Sequence, residues 1–189
     1  MTMKINSDEI ERVIEAALFV SESPLSKQQL KERLFSEQTI SLIEVNRALD
    51  SLTARYLGRG VELVKVASGY RFQTNVQYHQ VLTGLSPNKP AKISQAMLET
   101  LSLVAYKQPI TRAEIEEIRG VAVSSYIIKS LIERDWIKAA GHKEVPGRPV
   151  IYITTKVFLD YFGLTSLKQL PDVLSNTAVA ESAVSNNLN

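Results

Sequence analysis

The 189-residue chain contains no cysteine. That absence excludes disulfide bonds, catalysis by a thiol and zinc sites built from cysteine thiolates. A chain that needs no disulfides suits a reducing compartment. We therefore expect the protein to be cytoplasmic.

Long apolar runs are also missing from the sequence. The first ten residues alternate polar and charged groups and contain no apolar core of signal-peptide length. No apolar run elsewhere approaches the roughly 20 residues of a membrane-spanning helix. We expect a soluble protein that is not exported and does not enter a membrane.

Neither sign of charge dominates the chain. Lysine and arginine number 22 and aspartate and glutamate 20, which gives a formal net charge of +2, and no long segment is strongly basic. Dedicated DNA-binding proteins concentrate cations on one face or arm, where they neutralise phosphates. This even balance counts against DNA as the main partner and leaves room for weak or indirect contact with it.

Signatures of catalysis and metal binding are lacking as well. The sequence has no glycine-rich phosphate loop and no His-Glu-x-x-His motif, and its two histidines, His79 and His142, have no acidic neighbour at ligand spacing. Glu114, Glu116 and Glu117 stand close together, but in the first turns of a predicted helix, where negative charge favours the helix dipole. We predict no catalytic residue, no cofactor and no metal.

What the first half does contain is the pattern of three helices followed by a β-hairpin. Its first predicted helix carries apolar residues at positions i, i+3, i+4, i+7 and i+8, the spacing of one buried stripe. Capping boxes open the next two helices, and two runs rich in β-branched and aromatic residues predict the hairpin. These signals are an N-cap at Asn6 or Ser7, the boxes Ser26 with Gln29 and Ser41 with Glu44, and strands at 61–66 and 70–74.

The second half repeats this order of elements. Its short middle helix is punctuated at both ends, because Thr111 and Glu114 form a capping box and Gly120 stands where a left-handed residue ends a helix. A longer apolar helix precedes it, and another helix and a second hairpin follow. The remaining signals are an N-cap at Ser94, an apolar helix around Ile127 and a Pro146-Gly147 turn between two strand-like runs.

The two halves also align in detail. The stretch 23–26 matches 108–111, which lies 85 residues further on. A repeat of this length has the size of a small domain, and helix, short helix, helix and hairpin make the winged form of the helix-turn-helix. The predicted fold is mainly α with small β-hairpin wings (α+β). We place winged-helix domains at 1–85 and 94–171, a stiff proline-containing linker at 86–93 and a disordered tail at 172–189.

The predicted helix around Ile127 occupies the position that reads the DNA major groove in other winged helices. Its polar side offers only two basic groups, Lys129 and Arg134, and neither Asn nor Gln for adenine contacts. Such a helix is a poor reader of bases. A winged-helix DNA-binding transcriptional regulator nevertheless stays open as the alternative function, with weak phosphate contact through the second wing.

Five stretches of the second half carry specific motifs: Met97-Leu98-Glu99-Thr100-Leu101, 105–112, 115–121, 141–149 and 158–164. Together they resemble the family of segregation and condensation protein B (ScpB), a subunit of bacterial SMC-kleisin condensin. The resemblance implies a non-catalytic protein of two winged helices that forms a homodimer through its first domain and binds the kleisin ScpA, which bridges the heads of an SMC ATPase. It implies a role in chromosome condensation and segregation.

We predict partner contacts where a polar or amphipathic group is fixed to a rigid element. For two of these residues a local alternative exists, because Arg112 and Glu116 have the spacing of an i,i+4 surface pair. For Arg148, on the rigid backbone between Gly147 and Pro149, structural and functional roles are equally supported. The predicted contact residues are Tyr106, Gln108, Arg112, Glu116, Arg119 and Arg148.

Overall fold

The computed structural model of the chain describes residues 6–85 and 93–172. Within these residues, the first half has four helices and a two-stranded antiparallel sheet, and the second half has four helices and a three-stranded sheet with the order β3-β5-β4. The first-half elements are α1 Ser7–Val20, α2 Lys27–Leu34, α3 Leu42–Tyr56, β1 Val61–Lys65, β2 Tyr70–Thr74 and α4 His79–Leu82, the last flanked by single 3₁₀ turns at Val76–Tyr78 and Thr83–Leu85. The second-half elements are α5 Gln95–Lys107, β3 Ile110–Thr111, α6 Arg112–Arg119, α7 Ser125–Glu133, β4 Ile137–His142, β5 Val150–Thr154 and α8 Lys156–Tyr161, followed by a 3₁₀ turn at Leu167–Gln169.

The predicted helix starts are confirmed. Asn6 caps α1 by accepting a hydrogen bond from the Glu9 amide at 2.8 Å. Ser26, Ser41 and Thr111 each close a complete capping box at the start of α2, α3 and α6. Because each box satisfies amides that have no partner inside the helix, these boundaries are set locally by the sequence.

Each half of the chain has a hydrophobic core of its own, which is the structural form of the predicted repeat. In the first core, α1 packs on α3 through residues of the predicted stripe, and the β1–β2 hairpin covers them. The second core is built by α5, α6, α7 and the inner faces of the sheet and includes Trp136. Ile93, which we assigned to the linker, packs against this second core.

The repeat extends to the hydrogen bonds of the sheets. In the first half, Leu25 forms a β-bridge with Tyr70, the first residue of β2. In the second half, Ile110 pairs with Tyr152 of β5 in the same way. The sequence did not predict β3, because a strand of two residues is too short to produce a period-two pattern.

A close approach explains the glycine in the turn of the first hairpin. Gly69 has φ +153°, and a Cβ there would lie 2.2 Å from the carbonyl carbon of Leu25. The Leu25–Tyr70 bridge brings that backbone across the turn. Only a residue without a side chain fits between the hairpin and this segment.

Two helical segments were not predicted, α8 and the stretch around α4. Phe158 of α8 belongs to the second core, whereas no residue of 76–85 belongs to the first core. Within the described ranges, none of the helices is both long and apolar enough to cross a bilayer. Of the predicted linker 86–93, only Ile93 lies within the described residues. Of the predicted tail 172–189, only Asp172 does.

Candidate partner-binding groove

A groove of about 550 Å³ lies between α5 and the end of α6. One face of α5 is buried in the core, and residues one turn apart on its other side, Leu98, Ser102 and Tyr106, line the groove. Ile118, on the outer side of α6, forms the opposite edge and is 53% exposed. The complete lining is Gln95, Leu98, Glu99, Ser102, Leu103, Tyr106, Lys107, Ile118 and Arg119.

Arg119 places a nearly buried guanidinium in this groove. Its side chain is only 10% exposed and is held by an ion pair with Glu99 at 2.8 Å and a hydrogen bond to the Thr100 hydroxyl at 3.3 Å. The hydrogen bond from Arg119 keeps the pKa of the Glu99 carboxyl below its ordinary value. The Nε atom of Arg119 is buried and has no hydrogen-bond partner among the described residues.

Tyr106 joins the groove to a smaller cavity of about 290 Å³ beneath the end of the second half. Its hydroxyl donates a hydrogen bond to the Pro171 carbonyl at 2.7 Å, and its ring stays partly exposed. Leu98 and Ser102 line both spaces. The exposed side of α5 is therefore one continuous, mostly apolar surface with a few fixed polar groups, the usual character of a recognition site.

The side chain of Gln108 is hydrogen-bonded within the fold. Its side-chain oxygen accepts a hydrogen bond from the Thr154 amide at 2.8 Å, and its side-chain nitrogen donates to the Thr154 hydroxyl at 3.0 Å and to the Ala105 carbonyl at 3.2 Å. These bonds tie the end of α5 to the end of β5. The predicted contact residue Gln108 thus has a structural role in the protein.

Arg112 and Glu116 form the i,i+4 pair that we considered as the local alternative, with 3.0 Å between Nε and Oε1. Glu116 also accepts a hydrogen bond from the Val123 amide at 2.8 Å, which fixes the turn between α6 and α7. The pKa of Glu116 lies below its ordinary value, chiefly because of the hydrogen bond from the Val123 amide and, to a smaller extent, because of the bond from Arg112. Neither residue lines the α5–α6 groove.

Arg148 lies at the tip of the second wing, outside the groove. The predicted turn is confirmed, because Gly147 has φ +85° and the Arg148 amide donates to the Val145 carbonyl at 2.9 Å. Arg148 itself has φ +38°, and its guanidinium pairs with Glu144 at 3.3 Å while both side chains remain largely exposed. Of the six predicted contact residues, only Tyr106 and Arg119 line the groove.

The apolar residues of the groove are not among the predicted contact residues, all of which are polar or amphipathic. A signal for them exists in the sequence. Leu98 follows the core residue Met97, and Ile118 follows the helix stripe that ends at Ile115, so both are apolar residues beside the buried face of their helix. Apolar side chains in that position make the apolar face of a helix wider than the part that packs into its own core.

Glu114 links the second wing to α6. Its carboxylate closes the Thr111 capping box and also pairs with Lys143 at 2.5 Å. The pKa of Glu114 is lowered from 4.5 to about 2. The hydrogen bond from Lys143 is the largest cause, and the bonds with Thr111 come next. A group with a lowered pKa in the folded state stabilises the fold when it is ionised.

Replacing this carboxylate should destabilise the second half in a pH-dependent way. We expect Glu114→Ala to lower the free energy of unfolding by about 1 kcal/mol at neutral pH, the usual effect of losing a cap or a surface ion pair. The difference in the free energy of unfolding between Glu114→Ala and wild type should have its full size above the ordinary pKa of a glutamate carboxyl. It should shrink as the pH falls from about 5 to about 2. Urea unfolding followed by the single tryptophan, Trp136, measures it.

Glu117→Ala is the matched control, because Glu117 is exposed on the same helix. It should change the free energy of unfolding by less than about 0.5 kcal/mol. A Glu114→Ala difference that stays constant down to pH 2 would contradict the assigned role of the ionised carboxylate.

A second surface lies on the first half, in the segment 76–85. This segment is helical and carries large apolar side chains, yet none of them joins the first core. Val76 is 83% exposed and Val81 79% exposed. The exposed apolar residues of the segment are Val76, Tyr78, Val81 and Leu85.

Nothing in the described parts of the chain has the composition of a metal site. Within residues 6–85 and 93–172, no group of three or more His, Asp or Glu side chains is arranged to hold a metal ion. His79 begins α4, and His142 ends β4. The two histidines therefore lie in different halves.

The chain matches the family model described as segregation and condensation complex subunit ScpB over residues 12–173. A protein of Coxiella burnetii named "Segregation and condensation protein B homolog" is 54% identical over 160 residues, which cover 84% of this chain and 76% of that protein. Segregation and condensation protein B of Syntrophotalea carbinolica is 36% identical over 179 residues, covering 94% of this chain and 88% of that protein.

Two solved structures are also similar. The crystal structure of ScpB from Mycobacterium tuberculosis is 31% identical, covers 86% of this chain and 99% of that chain, and superposes with a TM-score of 0.37. A structure described as a dimer of an ScpB N-terminal domain complexed with an ScpA peptide is 23% identical and covers 42% of this chain and 96% of that chain, with a TM-score of 0.36.

Proposed function

The chain belongs to the family of segregation and condensation complex subunit ScpB, and from this premise we propose that it is a non-catalytic accessory subunit of a bacterial SMC-kleisin condensin. In this role it forms a homodimer, binds the kleisin ScpA and reaches the SMC ATPase only through the kleisin. It works at the nucleoid in the cytoplasm. The relatives' names place the family in chromosome segregation and condensation.

The α5–α6 groove is the observation that carries the kleisin-binding part of the proposal. An apolar surface formed by Leu98, Leu103 and Ile118 suits the apolar side of a partner helix. The Arg119–Glu99 ion pair at the edge of this surface adds a fixed polar group that can orient such a helix. Kleisin binding is therefore assigned to the second domain, 94–171.

The segment 76–85 supports a homodimer formed by the first domain, 1–85. Large apolar side chains on a helical segment outside the core remain in water in the single chain. Surfaces of this kind mark protein interfaces, and a second copy of the same segment is the simplest partner because dimers most often pair identical surfaces.

A DNA-binding transcriptional regulator is not favoured as the function. The family match names a segregation and condensation subunit. On α7, Lys129 lies 3.7 Å from Glu133 in an i,i+4 pair, so one of the two basic groups of that helix already has an acidic neighbour. Direct contact with DNA is proposed to be weak or to occur only through the assembled complex.

Complex formation with the kleisin is the test. Purified protein mixed with the ScpA of the same organism should elute from size-exclusion chromatography as one complex, and light scattering should give the mass of a dimer of this chain plus kleisin. Separate elution of the two proteins at micromolar concentration would contradict the proposal. Titration with random DNA duplexes at several salt concentrations should give only weak, salt-sensitive binding.

A further inference from the structure

We propose that the two halves of the chain are held in one closed arrangement by a reversible clasp between the β1–β2 turn and the end of α8. The Ala67 amide donates a hydrogen bond to the Leu164 carbonyl at 2.9 Å. The neighbouring Ser68 amide donates to a carboxylate oxygen of Asp160, also at 2.9 Å. These four residues, two from each half, are the domain clasp.

The donor side of the clasp follows from the geometry of the hairpin turn. Val66 and Gly69 close the turn by hydrogen bonds in both directions, at 2.7 and 3.3 Å. In a two-residue turn the amides of the central residues have no partner within the hairpin. Ala67 and Ser68 therefore present two adjacent donors, and the approach of Leu25 to Gly69 keeps the turn in place.

The acceptor side is equally well fixed in the second half. Asp160 is only 9% exposed, and its neighbour Phe158 is buried in the second core. After α8, Phe162 contacts Trp136 with ring centroids 5.6 Å apart. The Leu164 amide donates a hydrogen bond to the Leu159 carbonyl of α8. A buried carboxylate needs a hydrogen-bond donor, and the Ser68 amide supplies one.

The clasp lies beside an open cleft of about 760 Å³ whose walls come from both halves. Polar contacts next to an open cleft resemble the small interfaces across which domains of one chain move. The closed arrangement is therefore stabilised by few hydrogen bonds and can open. The lining is Glu22, Ser23, Pro24, Ser26, Gln29, Ala67, Ser68 and Arg71 from the first half and Lys156, Val157, Asp160 and Tyr161 from the second.

Opening of the clasp changes where the groove lies relative to the segment 76–85. The groove belongs to the second half and the segment to the first, so the clasp sets the distance between the two surfaces proposed for partners. This inference concerns the free protein, and it holds or fails independently of kleisin binding.

Spin-label distance measurement on the full chain tests the clasp. Because the protein has no cysteine, Glu37→Cys and Glu117→Cys provide the only two thiols, one on an exposed site of each half. Dilution with unlabelled protein leaves one labelled copy in each dimer. We expect one narrow distance distribution, and a broad distribution in the otherwise unchanged protein would overturn the proposal.

Asp160→Ala removes the carboxylate acceptor and should lower the ratio of closed to open molecules by roughly tenfold or more, the effect of one hydrogen bond to a charged group. Asp160→Asn retains a side-chain acceptor oxygen and should give an intermediate distribution. Asp50→Ala is the control, because Asp50 accepts its hydrogen bond from Asn46 within the first half.

A second variant acts from the other half and leaves α8 untouched. Ala67→Pro removes the Ala67 donor at a turn position that favours proline, and it should also widen the distance distribution. Tryptophan fluorescence of Trp136 reports that the second core of each variant is folded. Distributions identical to wild type in both Asp160→Ala and Ala67→Pro would overturn the clasp.

Discussion

Ser102→Arg should weaken binding of the kleisin by at least about 30-fold, which corresponds to about 2 kcal/mol. Ser102 is exposed on α5, one turn from both Leu98 and Tyr106, and lines the groove and the adjoining cavity. A long cationic side chain there occupies the apolar surface and adds a third positive charge to a groove already lined by Lys107 and Arg119. Calorimetric titration with the kleisin measures the dissociation constant.

The free protein should tolerate this change. Ser102 is exposed, and arginine has a higher helix propensity than serine, so the free energy of unfolding should stay within about 0.5 kcal/mol of wild type. Ser51→Arg makes the same substitution at an exposed position of α3 and should leave the affinity unchanged. Equal kleisin affinity in Ser102→Arg and wild type would show that the kleisin binds elsewhere.

Local sequence signals predicted the helices of this fold well. The boxes at Ser26, Ser41 and Thr111 need only residues three apart, so the chain encodes those helix starts without help from the rest of the fold. The same holds for Gly120, whose φ of +69° ends α6. The Arg112–Glu116 pair, four residues apart on one helix, belongs to this local class.

Contacts between distant residues set the limits of prediction from the sequence. Gln108 was predicted to contact a partner, and the structure adds a bond within the chain, from the Thr154 amide, 46 residues away, to the Gln108 side-chain oxygen. Arg119 shows the opposite case, because Glu99 and Thr100 of another helix turn its side chain into the groove. Neither outcome follows from spacing along the chain, since each depends on which elements pack together.

The segment 76–85 marks another such limit. Its apolar residues suggest burial, but a single chain gives them no core to enter. The proposed homodimer explains the pattern, because a second copy of the protein would bury the apolar surface that stays exposed in the single chain. Measuring the oligomeric state therefore tests directly whether the segment 76–85 forms the interface.

Val81→Glu should therefore convert the dimer to a monomer. In an interface built from identical surfaces each substitution occurs twice, so two carboxylates enter one apolar contact and lose hydration. If each costs about 2 kcal/mol, dimerisation weakens roughly 1,000-fold. Sedimentation velocity should then show the mass of one chain, 21.1 kDa, at concentrations where the wild-type protein is a dimer.

The single chain should not be destabilised by this change, since Val81 is 79% exposed. Val121→Glu is the matched control, because Val121 is an exposed valine of the second half that lines neither the groove nor the cleft. It should remain dimeric. A Val81→Glu protein that sediments as a dimer would remove the segment 76–85 from the interface, whereas monomeric wild-type protein at high concentration would contradict the homodimer itself. Kleisin binding by the Val81→Glu monomer should persist, because the groove lies entirely in the second half of each chain.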